Sequence, residues 1–107
     1  MNVLQEADKL VHGPRGKDYG HPLDDFACTA KMWTAFLRRR YGPRASELRA
    51  EDVGLMMIAV KLSREAGVHK SDNLVDTAGY AETVNMVIEE RAQREELRET
   101  FHPMETV

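Results

Sequence analysis

Asp72, Asp76, Tyr80 and Thr83 follow one another at spacings of four, four and three, so on a helix they share one stripe. Two carboxylates one turn apart can share a hard cation. Magnesium takes oxygen ligands and keeps several waters, so one or two carboxylates plus substrate phosphates suffice. The plain alternative is that Asp72 caps a helix and Asp76 pairs with a nearby base. Asp76 is the harder of the two to explain so, because aspartate inside a helix has poor propensity and gains no cap. Lys61 and Arg64, three apart at the end of an apolar run, are partners for Asp76 or for phosphate. Arginine forks onto two phosphate oxygens and lysine supplies a point charge; compensation of a helix C-terminus is the competing role.

A third group lies near the N-terminus, where Arg15 and Lys17 precede Asp18-Tyr19-Gly20-His21. Two cations and a histidine could clamp phosphates while the tyrosine stacks on a base; an ordered surface turn is the alternative. The glycine pattern is neither that of a P-loop nor that of a dinucleotide fingerprint. Gly79, in mid-helix beside Tyr80, costs about 1 kcal/mol relative to alanine, so close approach of another helix or a ligand is expected there. Cys28 and Trp33 read as core residues rather than a nucleophile and a stacking platform.

The elements that must position these groups are all helical. Val3, Ala7, Leu10 and Val11 mark a short amphipathic helix over 1–12, stopped by Gly13-Pro14. Residues 13–22 are too polar and too rich in glycine and proline for a buried strand or a helix, and read as a motif loop. Pro22 and the acidic pair Asp24 and Asp25 open a second helix over 23–40 with the stripe Leu23, Phe26, Ala30, Trp33 and Leu37. Its basic end, Arg38-Arg39-Arg40, suits carbonyl ends better than a nucleic-acid grip. Residues 51–66 are apolar on nearly every side and should form the central buried helix. A fourth helix over 72–98 carries Leu74, Ala78, Ala81, Val84 and Ile88 on one face, then runs into a solvated charged arm, and 101–107 reads as a tail. The expected fold is one all-α domain over 1–107, a compact bundle of about four helices.

Bulk properties narrow the function. A formal charge of -3 argues against general nucleic-acid or membrane binding, which needs a net basic surface. With 42% apolar residues the chain is globular, and its single cysteine can form neither an internal disulfide nor a zinc site. No run is long enough to span a bilayer and no leader precedes the first helix, which reads as a cytoplasmic protein.

Arg15-Gly16-Lys17-Asp18-Tyr19-Gly20 followed by Phe26 and Trp33, Glu51-Asp52-Val53 through Lys61-x-x-Arg64, and Asp72-Asn73-x-x-Asp76-x-x-Gly79-Tyr80 together resemble a small phage-type family with an Arg-x-x-Asp-Tyr-Gly signature. That family is similar to nucleotide-modification-associated domains and, more remotely, to MazG-like all-α NTP pyrophosphatases. The resemblance implies nucleotide chemistry in a host cytoplasm. MazG-like enzymes hold magnesium with a Glu-Glu-x-x-Glu helix and a later Glu-x-x-Asp helix. Here Asp76 matches the final aspartate, Asn73 stands at the preceding glutamate position, and no Glu-Glu-x-x-Glu occurs before it. Asp72, Glu51, Asp52, Asp24 and Asp25 are the carboxylates available as replacements.

Three classes of function stay open. In the first, Asp72 and Asp76 hold magnesium for attack of water on a nucleotide phosphate, while Lys61, Arg64, Arg15 and Lys17 neutralise its charge. In the second, the same groups bind a nucleotide without cleaving it, with Tyr19 or Tyr80 as stacking surface. The third is a protein-interaction bundle. At least a dimer is expected.

Overall fold

The side chain of Asn2 fixes where the first helix starts. Its Oδ1 accepts from the Gln5 N–H at 2.9 Å and the Gln5 Oε1 accepts from the Asn2 N–H at 3.0 Å, a reciprocal capping box that opens α1, Val3–His12. The second helix, α2, spans Pro22–Tyr41, with the Leu23 N–H donating to His21 Nδ1 at 3.0 Å. Proline in its first turn lacks only an N–H that has no helical partner there. The third, α3, spans Ala50–Gly67, and Asp52 turns back to accept from the Arg49 N–H at 2.8 Å. The fourth, α4, runs over Ser71–Phe101, 31 residues. This computed structural model describes residues 1–14 and 18–101, and no strand occurs among them.

Among the described residues the fold is the expected all-α bundle, with four main helices. Phe26 reaches the backbone of Gly54 while the Leu48 N–H donates to Thr34 Oγ1 at 2.9 Å, so α2 and α3 run antiparallel, and Lys61 meets Asp76 while Glu51 meets Arg91, so α3 and α4 do too. The core comprises Leu23, Phe26, Ala30, Ala50, Val53 and the fully buried Val87. By contrast α1, among the described helices, rests only on α4, through Val11 against Gly79 and a 2.9 Å bond between His12 Nε2 and Glu82 Oε2.

Four local expectations need correction. Asp18 and Tyr19, inside the segment read as loop, are helical, since one polar turn needs no buried stripe; Arg15 and Lys17 lie outside the described residues, as do 102–107. Cys28 is exposed. It falls about 200° around the helix from Phe26, away from the buried spacing Leu23, Phe26, Ala30 and Thr34. The third helix is covered on only two sides, by α2 and α4, so it buries Ala50, Val53 and Gly54 but leaves Leu55, Met56 and Leu62 open. On α4 the buried residues are Asn73, Val75, Gly79 and Val87 instead of the Leu74 to Ile88 stripe, because this helix packs against α1 on one side and α3 on another.

The charged stretch of α4 is also tied down at its base. Arg91 Nη1 and Nη2 each donate to a Glu51 oxygen at 2.7 Å, a bidentate clamp between α3 and α4. That guanidinium holds the Glu51 carboxyl down to about 2, although partial burial opposes it. Because the folded value lies below the unfolded one, the clamp's stabilisation is complete above the ordinary glutamate range and drains away as pH falls from there through about 2. Glu51→Gln should therefore cost about 2 kcal/mol at neutral pH, measured by urea unfolding, and flatten the acid limb of the stability curve. Farther along, the Arg94 bonds to Asp24 at 2.7 and 2.9 Å are exposed and contribute little.

Candidate functional site

Where α1, the start of α2 and α4 converge they leave a cavity of about 380 Å³. Leu10 and Val11 of α1 form one wall, and Val75, Asp76, Gly79, Tyr80, Thr83 and Met86 of α4 form the opposite one. The link Tyr19 to Pro22 and the side chains of Asp25 and Phe26 close the third side. Spacing explains the α4 wall: residues 76, 79, 80 and 83 lie close together around the helix. Gly20 enters with a φ of 71°, a left-handed turn that glycine adopts without strain, and so brings the chain from Tyr19 into the capping geometry of His21.

The polar atoms on this lining have definite roles. His21 Nδ1 accepts the Leu23 N–H, which leaves Nε2 as the protonated nitrogen of the neutral ring and hence a donor. Asp25, half-buried, has no hydrogen-bond or ion-pair partner for its carboxylate among the described residues. Asp76 Oδ2 lies 2.8 Å from Lys61 Nζ, in a pair whose lysine side chain is only 15% exposed. The Thr83 hydroxyl donates to the Gly79 carbonyl at 2.8 Å, keeping its lone pairs. Tyr80 is half-buried, its ring tilted 36° to that of Phe26 with centroids 6.4 Å apart. This pair joins the cavity to the core, so the aromatic wall is anchored.

Of the residues singled out by sequence, Tyr19, His21, Asp76 and Tyr80 line the cavity, and Lys61 reaches it through Asp76. Asp18 and Arg64 are exposed and do not line it. Asp72 is likewise exposed and outside the lining, although it stands one turn before Asp76. Asn73 is buried elsewhere: its Nδ2 donates to Glu65 Oε1 at 3.2 Å. The same Glu65 oxygen accepts the Lys70 N–H at 2.9 Å, while the other bonds to His69, and these bonds draw the Glu65 carboxyl below its usual range. Asn73 therefore serves the turn between α3 and α4. Among the described residues no three His, Cys, Asp or Glu side chains are grouped to hold a metal ion.

Its place in a first turn gives Asp25 to the helix dipole or to a replacement ligand set, and nothing in the sequence marks Leu10, Val11 and Met86 as lining. The usable signal for Asp25 was its place beside Phe26, at the edge of the buried stripe and next to the motif segment. Taken together the lining is apolar and aromatic, with oxygen acceptors predominating, one imidazole donor and no lysine or arginine among its described residues. Such a wall suits a planar, largely uncharged group that carries N–H donors.

Among its described residues the molecule is thus an all-α bundle of four main helices with an apolar, carboxylate-bearing cavity at the junction of three of them. The chain belongs to the family described as a domain of unknown function, DUF6378, whose model matches residues 2–88. It is 35% identical over 95 residues to the Gene 55 protein of Mycobacterium phage D29, covering 88% of this chain and 58% of that protein. With the Gene 55 protein of Mycobacterium phage L5 it shares 37% over 83 residues, covering 76% of this chain and 49% of the relative. The chain spans about half the length of the curated relatives it matches. No solved structure matches it. Among the described residues, no helix is long and apolar enough to cross a membrane.

Proposed function

We propose that this protein binds a nucleoside or nucleotide by its base in the cavity between α1, α2 and α4, and does not cleave it. The observation that carries this reading is the half-buried carboxylate of Asp25, without a partner among the described residues, on a wall that also holds the anchored Phe26 and Tyr80 rings. Stacking on an aromatic ring is worth about 1–3 kcal/mol per base and is indifferent to base identity. Asp25 supplies the selection: an ionised carboxylate only accepts, so it pairs with a base edge that presents two neighbouring N–H groups, as guanine does. Thymine and uracil offer a single N–H between two carbonyls, and those carbonyls would face the carboxylate. The resemblance of the Arg-x-x-Asp-Tyr-Gly segment and of Asp72 to Tyr80 to nucleotide-handling families supports the same reading. As proposed, the protein works as a homo-oligomer in the host cytoplasm.

A magnesium-dependent pyrophosphohydrolase is the second reading, favoured by the one-turn spacing of Asp72 and Asp76 and by the MazG-like resemblance. In that role Asp72 and Asp76 would be the metal ligands and catalytic groups, and Arg15, Lys17, Lys61 and Arg64 the phosphate partners. Lys61 already neutralises Asp76, which favours binding alone.

Calorimetry with guanosine, adenosine, thymidine and their triphosphates, each with magnesium and with EDTA, separates the readings. The expected result is guanosine binding that survives EDTA and falls roughly tenfold or more in Asp25→Asn, the loss of one charge-assisted pair. Affinity that requires magnesium, accompanied by release of pyrophosphate, would instead establish the hydrolase. No binding by any member of the panel would defeat both and leave an interaction module.

A further inference from the structure

Histidine is an unusual residue to cap a helix. Capping asks only for an acceptor, which serine, threonine, asparagine and aspartate supply on a short side chain. At the start of α2 the Leu23 N–H donates to His21 Nδ1 at 3.0 Å, so the imidazole caps with one nitrogen and carries a second that the cap does not use. With Nδ1 accepting, the neutral ring holds its proton on Nε2. No hydrogen bond or ion pair engages Nε2 among the described residues, and the half-buried residue lines the cavity.

Asp25 stands one turn farther along. Its N–H donates to the His21 carbonyl at 3.2 Å, the bond that opens the helical ladder, so the two residues share one side of α2. Both line the cavity, yet no hydrogen bond or ion pair joins their side chains. This wall therefore presents, one turn apart, an N–H that donates and a carboxylate that only accepts.

We infer that His21 reads the 6-oxo group of a purine whose neighbouring N–H groups face Asp25, which narrows the ligand to a 2-amino-6-oxopurine. The assignment rests on the base-binding reading above. Along one edge guanine carries the O6 acceptor, the N1–H donor and the 2-amino donor, and the wall carries the complementary donor and two acceptor oxygens. Adenine turns an amino donor toward His21 and the N1 lone pair toward Asp25, a mismatch at both positions. Hypoxanthine keeps O6 and N1–H but lacks the 2-amino group, so one carboxylate oxygen goes unpaired. Uracil and thymine satisfy His21 and set their second carbonyl against the carboxylate. Sites that hydrogen-bond a ligand group reject analogues that leave those buried partners unmatched, whereas stacking on Tyr80 is indifferent to the base. The sequence suggested a phosphate clamp for His21, but a neutral imidazole already holding a backbone N–H offers one donor and no charge.

Calorimetry with guanosine and 6-thioguanosine, on the wild type and on His21→Ser, tests this. The thio analogue keeps both N–H groups that face Asp25 and replaces O6 by sulfur, a weak acceptor. The wild type should bind it roughly tenfold less tightly than guanosine, the loss of one hydrogen bond. Serine keeps an acceptor for the Leu23 N–H and carries no donor that reaches O6, so His21→Ser should retain its helical circular dichroism. In that variant the gap between the two ligands should close to within about twofold. The gap is the readout because ring packing lost with the imidazole weakens both ligands alike. Equal affinities in the wild type, or a tenfold gap that persists in His21→Ser, would overturn the role of His21 and leave base binding standing. Failure of the wild type to bind either ligand would defeat the base-binding reading itself, and this assignment with it.

Discussion

Replacing Gly54 with alanine is expected to lower the unfolding free energy by about 2 kcal/mol, against the usual gain from alanine in a helix. A Cβ at this position would sit 2.4 Å from Val84 Cγ2, 3.4 Å from Phe26 Cε2 and 3.8 Å from the Tyr80 carbonyl oxygen. Valine cannot swing aside, because its β-branched side chain has one strongly preferred rotamer on a helix. Relief must come from moving α4 away from α3, which loosens the packing around Val53 and Val87. For a chain of this size, such a loss corresponds to a fall in Tm on the order of 10 °C at fixed protein concentration. The cause is one contact, so Gly54→Ala/Val84→Ala should lose less than the sum of the two single variants, by roughly 1 kcal/mol. Strict additivity in urea unfolding would mean that the two sites do not touch.

Gly79 gives the opposite outcome. A Cβ there meets only Val11 Cγ2, at 3.5 Å, an ordinary contact. Helix packing alone does not require glycine at this point, although the sequence reading allowed for that. Gly79→Ala should accordingly stabilise the fold by about 0.5–1 kcal/mol through helix propensity. Gly79 also lines the cavity, and Gly79→Leu extends a side chain into the space between Val11 and Tyr80. Binding of guanosine by that variant should drop roughly 100-fold or more through direct overlap with the ligand, while helical circular dichroism is kept. An unchanged affinity, read by the same calorimetry, would place the ligand elsewhere.

The architecture was legible in the sequence because its helices announce themselves by caps and breakers. Gly13-Pro14 after the first helix, and Pro22 with Asp24 and Asp25 at the start of the second, are such signals. Which face of α4 is buried was not legible. Its apolar stripe from Leu74 to Ile88 competes with a seam of small and polar residues at 73, 79 and 80, and helix pairing, not hydropathy, decided between them. An amphipathic pattern measures only what prefers to leave water, and single apolar side chains left on a folded surface are ordinary.

The candidate site divides in the same way. That Asp76 and Tyr80 line one wall was readable because two positions four apart on a helix share a face. The Lys61 and Asp76 pair followed from charge and position, with its 2.8 Å separation confirming contact between α3 and α4. Asp72 and Asn73 went the other way for a geometric reason. The first turn of α4 projects past the end of the cavity, so Asp72 meets solvent and Asn73 is taken up by Glu65. Asp25 gave no sign beyond its place beside Phe26 and the motif segment, since a carboxylate in a first turn is ordinary and its lack of a partner among the described residues is a three-dimensional fact.

The most direct test is an amide chemical-shift titration of isotopically labelled protein with guanosine. The account predicts shifts that saturate and cluster at Gly20, His21, Asp25, Gly79, Tyr80 and Thr83, with the exposed α3 stripe around Leu62 unmoved. Shifts absent at millimolar guanosine, or confined to residues away from that cavity, would contradict it.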